Sequence, residues 1–169
     1  MDINKLTNPP LSPFRKGGEG GLIKIVKDKS RVLFVCTGNS CRSQMAEGLL
    51  KHYGNDKFEV YSAGLRPSSV HTLAIKAMAE LDIDITNQYS KPVNEFLGQE
   101  FSYIITVCDS AKMLCPSLPG KHKVLHWSIE DPASTSDTEE EMMKAFRKVR
   151  HEILEKIKHF ISTTCRSSS

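Results

Sequence analysis

From Arg31 onward the chain alternates between apolar runs of strand length and apolar repeats of helical period. Val32-Leu33-Phe34-Val35 is an unbroken apolar run. With Arg31 and Cys36 at its ends it reads as a central parallel strand, buried on both faces. Met45, Leu49 and Tyr53 then recur every four residues, which predicts a helix from Ser43 to Tyr53 closed by Gly54-Asn55. Phe58–Ala63 alternates Phe58, Val60 and Ser62 with Glu59, Tyr61 and Ala63, a second strand broken by Gly64 and Pro67. Leu73, Ala74, Ala77, Met78 and Leu81 share one face of a helix over His71–Leu81. A mixed connection, with a short helical piece near residues 93–97, leads to a third strand, Phe101–Val107. Cys108–Pro119 reads as a long loop or an interrupted helix, and Lys123–His126 as a short fourth strand. The clearest helix is the last. Ser136 and Glu139 form a capping-box pattern, and Met142, Phe146, Val149, Ile153, Ile157 and Phe160 follow at three- or four-residue spacing.

Strands separated by helices predict an α/β fold: a four-stranded parallel sheet with helices on both faces. Such folds hold ligands beyond the carboxyl ends of their strands. Cys36, Cys108 and Asp131 each follow a predicted strand, which sets them on one rim. The 169 residues suffice for one domain with a real core, placed at residues 31–162. Residues 1–30, Pro- and Gly-rich over Asn8–Pro13 and Lys16–Gly21, read as a flexible extension, with Leu22–Val26 a short strand or nothing. Residues 163–169 read as a frayed tail. The net charge of +3 lies wholly in the extension: residues 1–30 carry six Lys/Arg and three Asp/Glu, and residues 31–169 carry seventeen of each. The domain therefore gives no charge argument for a nucleic-acid partner. No apolar run approaches membrane-spanning length and no signal-peptide pattern opens the chain, so a cytoplasmic monomer is expected. Five cysteines in that compartment point to reactive or metal-binding thiols more than to a disulfide framework.

The chemistry concentrates where the first strand ends. Cys36 is followed by Thr37, Gly38, Asn39, Ser40, Cys41, Arg42 and Ser43, at which the first helix begins. Loop N–H groups and a helix N-terminus together make a cradle for a tetrahedral oxyanion. A cysteine at its floor is expected to have a depressed pKa and to act as a thiolate nucleophile. Gly38 is expected to supply the unusual backbone conformation that turns the N–H groups inward. Arg42 offers a planar fork to two oxyanion oxygens. Ser43 is placed to donate to the Cys36 sulfur, and Asn39 to pin the loop through its amide. Cys41 reads as structural. A zinc site from Cys36, Cys41, Cys108 and Cys115 has poor spacing and an adjacent arginine against it. The six histidines are scattered, His126 packing near Trp127 and the others on the surface.

Val32 to Gly48, with Cys36, Arg42, Ser43 and Glu47 at their places, resembles the signature of the low-molecular-weight protein tyrosine phosphatases. More narrowly it resembles the thioredoxin-coupled arsenate reductases built on that fold. Tyr61-Ser62-Ala63-Gly64, Asp82-Ile83-Asp84-Ile85 and His126-Trp127 extend the likeness, which covers about Arg31 to Ile161. The resemblance implies that Asp131, in the pair Asp131-Pro132, is the general acid. It also gives meaning to Cys108 and Cys115, since arsenate reductases carry a cysteine pair at this place and plain phosphatases do not require one. The implied relay starts with Cys36 attacking arsenate. Cys108 then displaces arsenite, and Cys115 frees Cys36. Reduced thioredoxin, or a similar dithiol, restores the pair with no bound cofactor. Phosphate or sulfate would compete for the same cradle. The alternative is a phosphatase working through a Cys36 phospho-enzyme, and a further one is a non-enzymatic redox or arsenic sensor. Some such reductases hold potassium behind the loop, at positions matching Asn39, Glu47 and Ser62 plus an aspartate. Lys91 stands at the aspartate's place, which speaks against potassium and suggests a lysine ammonium against Glu47.

Overall fold

The computed structural model describes residues 28–166, apart from Asn55 and Ser136. The extension up to residue 27, the candidate strand Leu22–Val26 and the capping residue Ser136 lie outside the described residues.

Four parallel strands, β1 (Ser30–Cys36), β2 (Phe58–Gly64), β3 (Tyr103–Thr106) and β4 (Lys123–His126), form one sheet in the order β2-β1-β3-β4. Val32, Leu33, Phe34 and Val35 are all fully buried, as a central strand covered on both faces requires. β3 is shorter than its apolar run, although Val107 N–H still bonds the Val35 carbonyl beyond its end. The connections set which face each helix covers. Passing from β1 to β2 moves one way across the sheet, and passing from β2 to β3 or β3 to β4 moves the other. Right-handed crossovers therefore put α1 (Arg42–Gly54) on one face and α3 (Asp109–Leu114) on the opposite one.

The long helix α4 (Glu139–Arg166) packs against α1 and α2 (Thr72–Ala79). It drives Phe160 among Phe58, Tyr103 and Trp127. On the other face Tyr61 meets Phe96 and Phe101 edge-on, so a single 3-10 turn, Val93–Phe96, and a loop cover this part of the sheet. α2 is shorter than its apolar repeat because the chain turns at Asp82, whose φ is 57°. α4 is longer than expected. Residues 163–166 continue the helix instead of fraying, and Lys57 Nζ donates to the Cys165 sulfur. Its N-terminus is capped by Thr138, whose hydroxyl accepts from Glu141 N–H. No helix among the described residues is long and apolar enough to cross a membrane.

Candidate active site

β1 delivers Cys36 to the carboxyl edge of the sheet, and α1 begins six residues later at Arg42. The intervening loop wraps the sulfur. Asn39 N–H donates to Cys36 Sγ at 3.1 Å, and Ser43 Oγ lies 2.9 Å from it. Asn39 Nδ2 donates to Ser43 Oγ at 2.8 Å and to Ser62 Oγ at 2.9 Å. With one oxygen lone pair of Ser43 taken by that amide, the Ser43 hydroxyl is placed to donate to a Cys36 thiolate, a bond that favours that form. The left-handed residue of the loop is Asn39, with φ 46°, and not Gly38, whose backbone stays outside that region. Asparagine tolerates this conformation better than most residues because its short amide bonds locally. The Asn39 backbone carbonyl accepts from Gln44 Nε2 and Ser90 Oγ, so the strained residue is fixed on all sides. Sequence reasoning missed Gln44, Gln88, Tyr89 and Ser90, which brace the loop from behind, because nothing in their spacing ties them to it.

Burial pushes the Cys36 thiol above its ordinary range; the Ser43 hydroxyl, the Asn39 N–H and the Arg42 charge pull it down without reversing the direction. The depressed pKa expected of Cys36 is thus opposed by its burial. Desolvation of a sulfur at the floor of a packed core is the larger effect. Cys41 is buried beside it, its thiol pushed up to about 11 by burial and donating to Ser40 Oγ at 3.7 Å, as suits a structural role.

Arg42 reaches across the mouth of the loop. Its Nη1 donates to the Ile129 carbonyl at 2.9 Å and its Nη2 lies 3.5 Å from Asp131 Oδ2. Asp131 also caps the 3-10 turn Pro132–Ser134 by accepting from Ala133 N–H, so it is both a turn residue and a half-exposed carboxyl at the site. Cys108 is buried at the N-cap of α3. Its sulfur accepts from Ala111 N–H and lies 3.4 Å from Thr37 Oγ1, close enough to Cys36 for the two thiols to interact electrostatically. Cys115 is the C-cap of the same helix, half-buried, its thiol raised by burial. Seven residues of helical rise put about 10.5 Å between the two cysteines. The site thus gathers Cys36, Arg42, Asp131 and Cys108 and leaves Cys115 at the far end of α3.

His126 is not merely packed near Trp127. It links Thr106 Oγ1 (2.8 Å) to Asp109 Oδ1 (2.9 Å), tying the first turn of α3 to β4. His71, expected on the surface, caps α2 by accepting from Leu73 N–H and stacks on Phe146.

Residues 31–168 match the family model described as low molecular weight phosphotyrosine protein phosphatase. The chain belongs to that family. Within it, the chain is 44% identical over 136 residues to the arsenate reductase of Halalkalibacterium halodurans, covering 80% of this chain and 98% of that one. A solved arsenate reductase in an oxidized state superposes with a TM-score of 0.69 at 36% identity, covering 79% of this chain and 98% of the other. The thioredoxin-dependent arsenate reductase of Corynebacterium glutamicum superposes with a TM-score of 0.53 at 30% identity, covering 80% of this chain and 65% of its own.

The residues behind the family's anion loop do not fit a potassium ion here. Glu47 already faces the ammonium groups of Lys51 and Lys91. The Ser62 hydroxyl donates to Glu47, and Asn39 Oδ1 is occupied by Lys91 N–H at 2.8 Å. The oxygens a metal would need are turned toward donors. Among the described residues no set of three His, Cys, Asp or Glu side chains could hold a metal ion.

Proposed function

We propose that this protein reduces arsenate to arsenite by a relay of three thiols, in the cytoplasm and as a monomer, with a thioredoxin-like dithiol as electron donor. The observation that carries the reading is Cys108. Its thiol is held beside the anion loop through Thr37, and a second thiol, Cys115, stands at the other end of the same short helix. A phosphatase has no use for either.

The steps are those that the family resemblance implies, carried by these residues. The N–H groups of the loop, Thr37 to Ser43, and the Arg42 guanidinium hold three oxygens of arsenate. The Cys36 proton passes to the arriving oxyanion as the sulfur attacks. The S–As bond forms, the As–O bond breaks, and the oxygen leaves as water with Asp131 supplying the second proton. The Cys108 thiolate next attacks Cys36 sulfur. A disulfide forms, the S–As bond breaks, and its electron pair stays on arsenic, which leaves as arsenite. Cys115 then attacks Cys108 and releases the Cys36 thiolate. The Cys108–Cys115 disulfide passes to the external dithiol, which is oxidised in turn. Similarity to curated arsenate reductases, one of the compared structures being thioredoxin-dependent, supports both substrate and donor.

The second reading, a phosphatase, shares Cys36, Arg42 and Asp131. An arsenate-dependent NADPH oxidation assay with thioredoxin and its reductase separates the two. Cys36→Ser should abolish arsenate turnover and hydrolysis of p-nitrophenyl phosphate together. Cys108→Ser and Cys115→Ser should each halt arsenate turnover after one cycle or less and leave hydrolysis intact. Wild-type arsenate reduction by Cys108→Ser would refute the relay.

A further inference from the structure

Among the described residues the mechanism leaves a buried cation, Lys91, without a task. Lys91 and Glu47 lie behind the anion loop with side chains 8% and 5% exposed and their charged atoms 3.7 Å apart. Burying two charges is costly unless the surroundings make good use of the pair. Lys91 Nζ also donates to the Tyr89 carbonyl at 2.8 Å and stands 4.5 Å from the centre of the Tyr89 ring. Burial lowers its pKa, and the Glu47 charge opposes that shift without reversing it.

From Glu47 a continuous hydrogen-bonded line reaches the nucleophile. Ser62 Oγ donates to Glu47 and, with its own proton so committed, accepts from Asn39 Nδ2. The same amide donates to Ser43 Oγ, which faces the Cys36 sulfur. Glu47 accepts the Ser62 hydrogen bond, so Ser62 presents a lone pair to Asn39. The Asn39 amide, held at its oxygen by the Lys91 N–H, donates to both serines and leaves the Ser43 hydroxyl placed to donate to sulfur. Without a carboxylate fixed behind it, Ser62 is free to turn and the amide loses an anchor.

We infer that Lys91 is a positioning residue: its ammonium is a resident cation that pairs with Glu47, fixes the carboxylate behind Ser62 and, through Ser62, Asn39 and Ser43, keeps a hydroxyl placed against the Cys36 sulfur, so that the site needs no monovalent metal ion. Backbone and side chain of Lys91 act separately, which makes the inference testable. The Lys91 N–H bonds Asn39 Oδ1 and its carbonyl accepts from Gly64 N–H, and any residue at 91 keeps those bonds. Only the ammonium changes on substitution. Lys51 also pairs with Glu47, but from a half-exposed position, where solvent screens it.

The test reads Cys36 directly and does not depend on which oxyanion is turned over. The rate of Cys36 alkylation by iodoacetamide, followed by mass spectrometry of its peptide across pH, is compared in wild type, Lys91→Met and Lys91→Asp, in potassium, sodium or choline chloride at equal ionic strength. Hydrolysis of p-nitrophenyl phosphate is measured alongside, and thermal melts report the fold. Wild type should show the same rates in all three salts within twofold. Lys91→Met should alkylate about tenfold more slowly near neutral pH, a shift of about one pH unit in the profile, with kcat falling more than KM rises. Lys91→Asp should be slow in choline and recover severalfold in potassium, the added carboxylate now inviting the ion the lysine replaced. Acceleration of wild type by potassium over choline would overturn the inference even if both variants failed to fold. So would an unchanged Cys36 profile in a folded Lys91→Met, or a folded Lys91→Asp indifferent to potassium.

Discussion

Ser43 is the residue on which Cys36 reactivity turns. It is fully buried, its Oγ accepts from Asn39 Nδ2, and the hydroxyl lies 2.9 Å from the sulfur, placed to donate to a thiolate. A hydrogen bond to a developing charge contributes about 1.5–3 kcal/mol, so Ser43→Ala should slow Cys36 alkylation at fixed pH by about ten- to a hundredfold. The sign follows from Cys36 itself. Its thiol is already raised by burial, and losing a group that lowers it moves the rise in reactivity to still higher pH. An unchanged alkylation profile would mean that the Asn39 N–H alone sets the sulfur's state. Gly64 tests the loop from the other side. A Cβ there would come 2.8 Å from the Thr37 carbonyl oxygen and 2.9 Å from Asn39 N, both backbone atoms that cannot swing away. Gly64→Ala should cost about 1–3 kcal/mol of stability in urea denaturation and cut hydrolysis of p-nitrophenyl phosphate along with it. At this scale residue types were legible in the sequence and their conformations were not. Cys36, Arg42 and Ser43 announce an anion loop by kind and order. That Asn39 takes the left-handed turn, and that burial outweighs the donors around Cys36, depend on packing from Ser62, Gly64 and Ser90, which lie far along the chain.

Among the elements, α3 is the one that the proposed chemistry must undo. A disulfide requires its Cα atoms within about 7 Å, and an intact helix holds Cys108 and Cys115 about 10.5 Å apart. The helix is built to yield. It has six residues, only Ala111 is buried, and Met113 and Leu114 are 83% and 66% exposed. Its anchors are the Cys108 sulfur at the N-cap and the Asp109–His126–Thr106 link to β4. Forming a disulfide at Cys108 removes the first of these. Amide hydrogen exchange over 108–115 should therefore quicken in the oxidised protein relative to the reduced one, while β1 and α1 stay protected. Equal protection in both states would exclude unwinding as a step. The sequence hinted at this ambiguity, since Cys108–Pro119 carries neither a clean helical repeat nor a turn signal. It was silent on the far face of the sheet, where Tyr61, Phe96 and Phe101 replace a helix by three aromatic rings. Such contacts join residues up to forty positions apart and leave no periodic mark. The end of α4 leaves no mark in its apolar repeat for a related reason: its last turn is held by Thr163 and Thr164 hydroxyls bonding the Phe160 carbonyl, and by Lys57 from another element.

For the molecule as a whole, the joint between α2 and α4 decides how the fold answers acid. Glu80, just past the end of α2, accepts from Arg147 through both oxygens and from Arg150, and Arg150 also donates to the Ala77 carbonyl. Hydrogen bonds from Arg147 and then Arg150 are the main causes that bring the Glu80 pKa down from its ordinary 4.5 to about 2. A carboxyl with a depressed folded-state pKa contributes stability that is fully present above the unfolded value. That stability is lost as pH falls through the folded one. The Glu80 contribution should thus be complete above about pH 5 and fade toward pH 2. Glu80 is about a third exposed, so water screens the pair and its worth is nearer 1 kcal/mol than the full shift implies. Lys76–Glu139 crosses the same joint but is more exposed and adds less. Glu80→Gln should then lower unfolding stability at pH 7 by about 0.5–1 kcal/mol, measured by urea denaturation, and the difference from wild type should shrink to nothing by pH 2. Cys36 alkylation should not change, because the joint lies away from the anion loop and none of its bonds reach Asn39 or Ser43. A variant that lost stability equally at pH 7 and pH 2 would show that Glu80 acts by packing alone. One that lost Cys36 reactivity would show that the α2–α4 joint and the loop are a single unit.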